Sequence, residues 1–255
     1  TAIQSFKKAM LSIETAIKQK PDNQKYKILK ADILIELAKN EDAKELLLNL
    51  KLPNESVLFF HREILFSKIF INQMKFGLAE KVLLDLRKSF SKERILYLNL
   101  SDLYFKNKAL EKGILILKEG IKKFPNFIPL RFNLAVMYRN MGLLKLSIET
   151  HIEIVLKDQL NSNSFYELST MYDFSNHNDQ LKTLLNIEIE NLSQKDKIYF
   201  CYSKANVYHN NKDYKKSAYF LKIANDEKLK IQPSDIQRKL NTGEYFRNLK
   251  IDQNL

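Results

Sequence analysis

Residues 94–127, RILYLNLSDLYFKNKALEKGILILKEGIKKFPNF, read as two helices joined by a short polar turn. Tyr97, Leu100 and Tyr104 fall on one face of the first helix, and Gly113, Leu117 and Gly120 on one face of the second. The turn at Lys106-Asn107-Lys108 is too short to join anything but antiparallel neighbours. The two glycines allow the helices to approach near the short end of the usual 8–10 Å separation. The same plan recurs along the chain. A residue marks the turn into each second helix at Ala43, Ala79, Gly113, Ser147, Leu181 and Ser217, at intervals of 36, 34, 34, 34 and 36. Small-plus-aromatic pairs keep the same rhythm upstream: Ser67/Phe70, Ser101/Tyr104, Ala135/Tyr138, Ser169/Tyr172 and Ala205/Tyr208. Units of this length bury their apolar faces only by stacking on one another, so the sequence predicts an all-α solenoid.

Helical pairs are expected over 24–52, 58–90, 94–124, 128–158, 162–192 and 197–228. Ahead of them, Ile3, Phe6, Met10, Ile13 and Ile17 give a helical spacing that stops at Pro21, and Ala9 and Ala16 make it a second helix without its first. The array is thus read as residues 1–228. Residues 229–255 form a capping or connecting segment, in which Ser234 or Asp235 caps a final helix through Ile236, Leu240, Tyr245 and Leu249. Five Gly and five Pro in 255 residues are too few for a turn-rich β fold.

These positions resemble tetratricopeptide repeats over about nine-tenths of the chain. Residues 94–127, 128–161 and 198–228 carry the match best. In the second of these, Leu134-Ala135, Tyr138, Gly142 and Ser147 fall where the family places its Leu, small residue, aromatic, Gly and Ala. Leu181 departs from the pattern at a small position, and Leu34 stands where an aromatic is expected. The resemblance implies a right-handed superhelix of about six helix-turn-helix units, with the first helices lining a concave groove that takes a polypeptide.

A narrower resemblance lies in the last unit. Tyr199-Phe200, Lys204-Ala205, Tyr208, Asp213-Tyr214, Ala218, Leu221 and Ala224-Asn225-Asp226-Glu227-Lys228 resemble the final repeat of bacterial proteins that join such an array to a sulfotransferase domain. It implies a substrate-recruiting, non-catalytic part of a transferase; the alternative is a free-standing adaptor that assembles a protein complex. The phosphate-gripping Ser-Gly-Thr-Thr loop of that enzyme class does not occur in this sequence, and Thr242-Gly243-Glu244, the nearest string, lacks the paired hydroxyls. No cofactor is expected.

Asn99 and Asn133, one repeat apart, resemble the asparagine ladder by which the array of O-linked N-acetylglucosamine transferases grips a peptide backbone. Leu65 and Glu167 at the equivalent places limit it here to two rungs. The groove is expected to add Asp102, Phe105, Lys106, Phe132, Arg139, Tyr166, Phe174, Tyr199 and Tyr202, a mixture of aromatics and both charges that suits a protein or extended peptide. The clamp by which chaperone-binding arrays hold a terminal carboxylate is not reproduced, since Leu98 and Asp102 stand where it would begin.

The remaining chemistry reads as structural. His61, His151, His177 and His209 are isolated from one another, and Cys201 lies among Tyr199, Phe200 and Tyr202 as a buried apolar residue. Net charge +12 arises from 35 Lys against 7 Arg spread along the chain, a pattern of composition rather than of phosphate readers, so neither nucleic acid nor a small-molecule substrate is expected as partner. No apolar run is long enough to span a bilayer, and the chain opens at Thr1 without a basic-then-apolar leader, as a processed or excised segment would; a cytoplasmic setting without membrane contact is expected.

Overall fold

The computed structural model describes residues 2–54, 56–171 and 178–231. It is built of helices without a strand among those residues: α1 (Ala2–Gln19), α2 (Gln24–Glu36), α3 (Asn40–Leu48), α4 (Val57–Asn72), α5 (Phe76–Ser89), α6 (Arg94–Lys106), α7 (Leu110–Lys123), α8 (Ile128–Asn140), α9 (Leu144–Lys157), α10 (Ser162–Met171), α11 (Asn178–Asn186), α12 (Gln194–Asn210) and α13 (Tyr214–Ile231). From α2 onward they pair as first and second helices of six units, with α1 as a leading second helix. Sequence neighbours pack on each other from α1 through α10 and from α11 through α13, and first helices also touch the next first helix, as in α2 on α4, α4 on α6 and α6 on α8. Such nearest-neighbour packing is a solenoid.

One turn geometry is used five times among the described residues. Ala38, Met74, Lys108, Gly142 and Lys212 adopt φ of 60°, 58°, 57°, 77° and 61°, the left-handed region, at the junction of first and second helices. The amide after each reverses onto the carbonyl five residues upstream: Lys39 to Leu34, Lys75 to Phe70, Ala109 to Tyr104, Leu143 to Tyr138 and Asp213 to Tyr208, at 2.8–2.9 Å. These bonds satisfy carbonyls that a helix end would leave bare. Only Gly142 is the residue type that enters this region without steric cost.

Side chains cap the starts of α2, α4 and α12, whereas α6 and α8 begin without such a bond. Asn23 accepts from the amides of Lys25 and Tyr26, Ser56 from Phe59, and Ser193 from Asp196. Capping by Ser193 sets α12 off three residues before the predicted start at 197. At the other end of that turn, α11 closes at Asn186, short of the predicted 192. There Lys204, buried in α12, sends its ammonium to the carbonyls of Leu185 and Ile187 at 3.2 and 2.6 Å, taking up acceptors that a continuing helix would have used internally. Helix α13 is described through Ile231, three residues past the expected 228.

The repeat register is carried by burial. Ala43, Ala79, Gly113, Ser147 and Ser217 are buried, as are Ser67, Ser101, Ala135, Ser169 and Ala205 on the paired helices. The serines in this layer do not leave polar groups bare: Ser147 donates to the Ala135 carbonyl and Ser217 to the Ala205 carbonyl, each at 2.9 Å. Four residues beyond each small position, Leu47, Leu83, Leu117 and His151 are fully buried beneath the next unit. Leu221, the counterpart in α13, is 39% exposed.

Candidate functional site: the wall of first helices

The inner wall is formed by α2, α4, α6, α8, α10 and α12, and side chains link α2 to α4, α6 to α8, α8 to α10 and α10 to α12. Lys68 of α4 pairs with Asp32 of α2 at 3.0 Å, Asn133 of α8 donates to Ser101 Oγ of α6 at 3.1 Å, Arg139 of α8 pairs with Glu167 of α10, and Asn206 of α12 donates to Ser169 Oγ at 3.0 Å. Ser101 and Ser169 are the small residues of their helices; each hydroxyl donates back to its own helix and so presents a lone pair to the neighbour.

Asn99 and Asn133 share a place in successive units but spend their amides differently. Asn99 donates to the Ile95 carbonyl of its own helix at 2.9 Å, whereas Asn133 reaches Ser101. Their donors therefore serve the protein's own backbone and stacking, and a peptide gripped by them would have to displace those bonds. Glu167, which interrupts the ladder, accepts the Arg139 guanidinium.

Between α6 and α8, Ser101, Asp102, Phe105, Asn133, Val136 and Met137 enclose a depression of about 110 Å³. Its volume suits a single aliphatic side chain. Phe105 is partly exposed at its edge, and Asp102 is held by Lys106 one turn on, at 3.1 Å. Further along, Tyr166 meets Tyr199 edge-to-face at 5.5 Å between ring centroids and Tyr202 at 6.2 Å, joining α10 to α12 in a tyrosine wall. Lys195 lies over Tyr199 and Lys228 over Tyr202, while the Tyr202 hydroxyl donates to Asn225 at 2.8 Å. The depression and the tyrosine wall are thus two separate features, linked by the Arg139–Glu167 pair. Phe174 lies outside the described residues.

Phe132 turns its ring against His151 of α9, edge-to-face at 5.5 Å. His151 is fully buried, its Nδ1 3.2 Å from Ser164 Oγ and its Nε2 without a hydrogen-bond partner. Burial, helped by the nearby Arg139 charge, pushes its pKa down to about 4, so the ring is neutral at ordinary pH. Cys201 is buried and its thiol is pushed up to about 11 by that burial, far from the range of a reactive thiolate. No cluster of metal-ligating side chains occurs among the described residues. No helix among them is long and apolar enough to cross a membrane.

Asn206 and Ser169 carry no sequence signal as parts of this wall, nor does His151 as its support from α9. Asn206 follows the small residue Ala205 whereas Asn133 precedes Ala135, so the two amides share no repeat position even though they make the same bond. His151 was visible as the one polar residue in a column of leucines, Leu47, Leu83 and Leu117.

No family model matches the chain, and no curated protein matches it. Among solved structures it is similar to a thermophilic tetratricopeptide-repeat protein of Thermus thermophilus, with TM-score 0.58 and 16% identity over 67% of this chain and 92% of that one. It is similar also to PilF of Pseudomonas aeruginosa, with TM-score 0.57 and 13% identity over 87% and 97% of the two chains. The C-terminal part of a tetratricopeptide-repeat protein from Cytophaga hutchinsonii gives TM-score 0.52 and 11% identity over 91% and 92%. At these identities the likeness is one of fold, and the fold of this chain is the right-handed tetratricopeptide solenoid.

Proposed function

We propose that this chain is a protein-binding scaffold that holds an extended polypeptide along its first helices. The observation that carries the reading is the tyrosine wall of Tyr166, Tyr199 and Tyr202 on the same inner side as the depression beside Phe105. An aliphatic anchor in the depression and contact with the tyrosines would divide the work between shape and area, since tyrosine offers a large rigid surface at low entropic cost. The Arg139–Glu167 pair between them offers a guanidinium and a carboxylate to a peptide unit.

Of the two forms this scaffold can take, the adaptor is the one we adopt. The residues resembling a sulfotransferase-linked array are engaged in the last unit itself: Ala224 is buried, Asn225 accepts from Tyr202, and Glu227 pairs with Lys197 and Lys230. They need no catalytic domain to explain them.

A random peptide library displayed on phage and selected against the full chain tests the proposal. The selected peptides should bind Tyr166→Ala/Tyr199→Ala at least tenfold more weakly than the wild type, and Leu115→Ala, on the exposed side of α7, with unchanged affinity. Equal affinity for wild type and the tyrosine variant would remove the inner wall as the binding site.

A further inference from the structure

The outer side of the first unit carries a cleft. It lies between α1 and α3 over the floor of α2, with a volume of about 910 Å³. Met10, Leu34 and Leu46 give it apolar walls, and Asp42 and the Lys30–Glu14 ion pair stand at its rim. Clefts of this size and lining accommodate ligands.

The repeat explains why the space exists. Leu34 holds the place of Phe70, Tyr104, Tyr138 and Tyr208, whose rings pack against adjoining second helices. Phe70 packs into the cores on both sides of it. Tyr104 bridges α5 and α7: its hydroxyl donates to Glu80 at 2.9 Å and Lys112 lies over its ring. Tyr208 stacks on Phe220 of α13 at 5.6 Å, and the ammonium of Lys216, from the same helix, lies 5.2 Å from the centre of its ring. In the first unit the aromatic is missing and its surroundings have changed with it. Met10 stands where Glu80 stands, and Asp42 stands where Lys112 and Lys216 stand.

We propose that this cleft binds a tyrosine side chain presented by a polypeptide partner, the ring taking the space that the protein's own aromatics fill elsewhere. A thioether beside a ring is a favourable contact, and Met10 supplies it. The Asp42 carboxylate repels the face of a ring and attracts its positive edge, and it accepts a hydrogen bond from a phenol. Tyrosine therefore suits the rim better than phenylalanine. A single ring leaves most of the cleft unfilled. Its walls run along α1 from Lys7 to Glu14 and along α3 from Asp42 to Asn49, about two helical turns or ~10 Å, so the chain that carries the ring occupies the remainder. This site is on the opposite side of the solenoid from the inner wall and does not depend on the reading given to that wall.

Two 15-residue peptides of one Ala/Lys/Gln background, differing only in a central Tyr or Leu, serve as probes with the full chain. The Tyr peptide should bind at least tenfold more tightly than the Leu peptide and shift the methyl signals of Met10, Leu34 and Leu46, leaving those of Leu83 and Leu117 in place. Leu34→Tyr should occupy the place of the ring within the cleft and abolish the preference; Asp42→Asn should narrow the gap between a Tyr peptide and its Phe counterpart. Peptides that bind alike, or a preference that survives Leu34→Tyr, would overturn the proposal. Should Leu34→Tyr not fold, the wild-type methyl spectrum decides alone: shifts at the inner wall, or none, contradict it. N-acetyltyrosinamide binding as tightly as the peptide would also contradict it, by making this a site for a free small molecule.

Discussion

Gly120 lies against the face of Tyr97: a β-carbon placed on it would stand 3.0 Å from both Cγ and Cδ1 of that ring. Tyr97 is fully buried, and its hydroxyl is fixed by donation to Glu119 at 3.1 Å and by the Lys123 ammonium at 2.7 Å. The ring has no room to retreat. Gly120→Ala should therefore lower stability by about 1–3 kcal/mol through overpacking, despite alanine's better helix propensity. Gly113→Ala should cost less, because the atoms it meets are the flexible end of Met137, whereas Gly113→Leu exceeds what that end can yield and should cost ~1–3 kcal/mol. Urea midpoints of the three variants check the order; an unchanged midpoint for Gly120→Ala would show the Tyr97 contact to be slack.

Among the described residues, Ala38, Met74, Lys108 and Lys212 hold the left-handed conformation at the helix junctions without being glycine. Lys108→Gly should stabilise the chain by about 1 kcal/mol, and Gly142→Ala should destabilise it by a similar amount, because the same turn is being relieved in one case and strained in the other. Thermal melting of the two single variants is the check. Shifts of the same sign would contradict the common geometry.

Acid should act through His151. Folding lowers its pKa from an ordinary 6.5 to about 4, so the unfolded chain takes up a proton that the folded chain refuses. Its contribution is therefore complete above about pH 6.5 and is lost as pH falls toward 4, by about 3 kcal/mol in total. Asp196 and Glu119, whose carboxyls lie below their usual values, add losses of their own at lower pH; burial opposes both shifts, while Ser162 and Ser193 at the first, and Arg87 and Lys123 at the second, outweigh it by hydrogen bonding. His151→Leu isolates the imidazole. Between pH 6.5 and 4.5 its stability curve should be flatter than that of the wild type, and parallel curves would count against a neutral buried ring.

Lys204 should matter to α11 more than to the array. Lys204→Met keeps the volume but leaves the Leu185 and Ile187 carbonyls without their donor, at a cost of about 1–3 kcal/mol. Hydrogen exchange should quicken across residues 182–186 and remain as it was in α6 and α7. Uniform quickening would mean that the bond supports the whole stack.

The repeat could be read from the chain because its signal is small residues in buried places, and burial of Ala43, Ala79, Gly113, Ser147 and Ser217 follows from close helix approach. The departure at Leu34 was equally visible, though its consequence was not: a missing ring becomes a cleft only when the neighbouring helices keep their distance. The turns were half legible. Gly142 announces its conformation, while Ala38, Met74, Lys108 and Lys212 adopt it because the packed helices on either side dictate the path. Hydrogen bonds along the inner wall were beyond reach of a fixed repeat, since Asn133–Ser101 spans 32 residues and Asn206–Ser169 spans 37. The close of α11 depends on a lysine 17–19 residues downstream, a tertiary bond with no local signature.

The claim that the first helices receive a polypeptide is tested most directly by locating one on the surface. A selected peptide carrying a photo-reactive benzoylphenylalanine, irradiated on the full chain and mapped by mass spectrometry, should attach to α8, α10 and α12, around Met137, Tyr166 and Tyr199. Attachment confined to α7, α9 and α13 would contradict it.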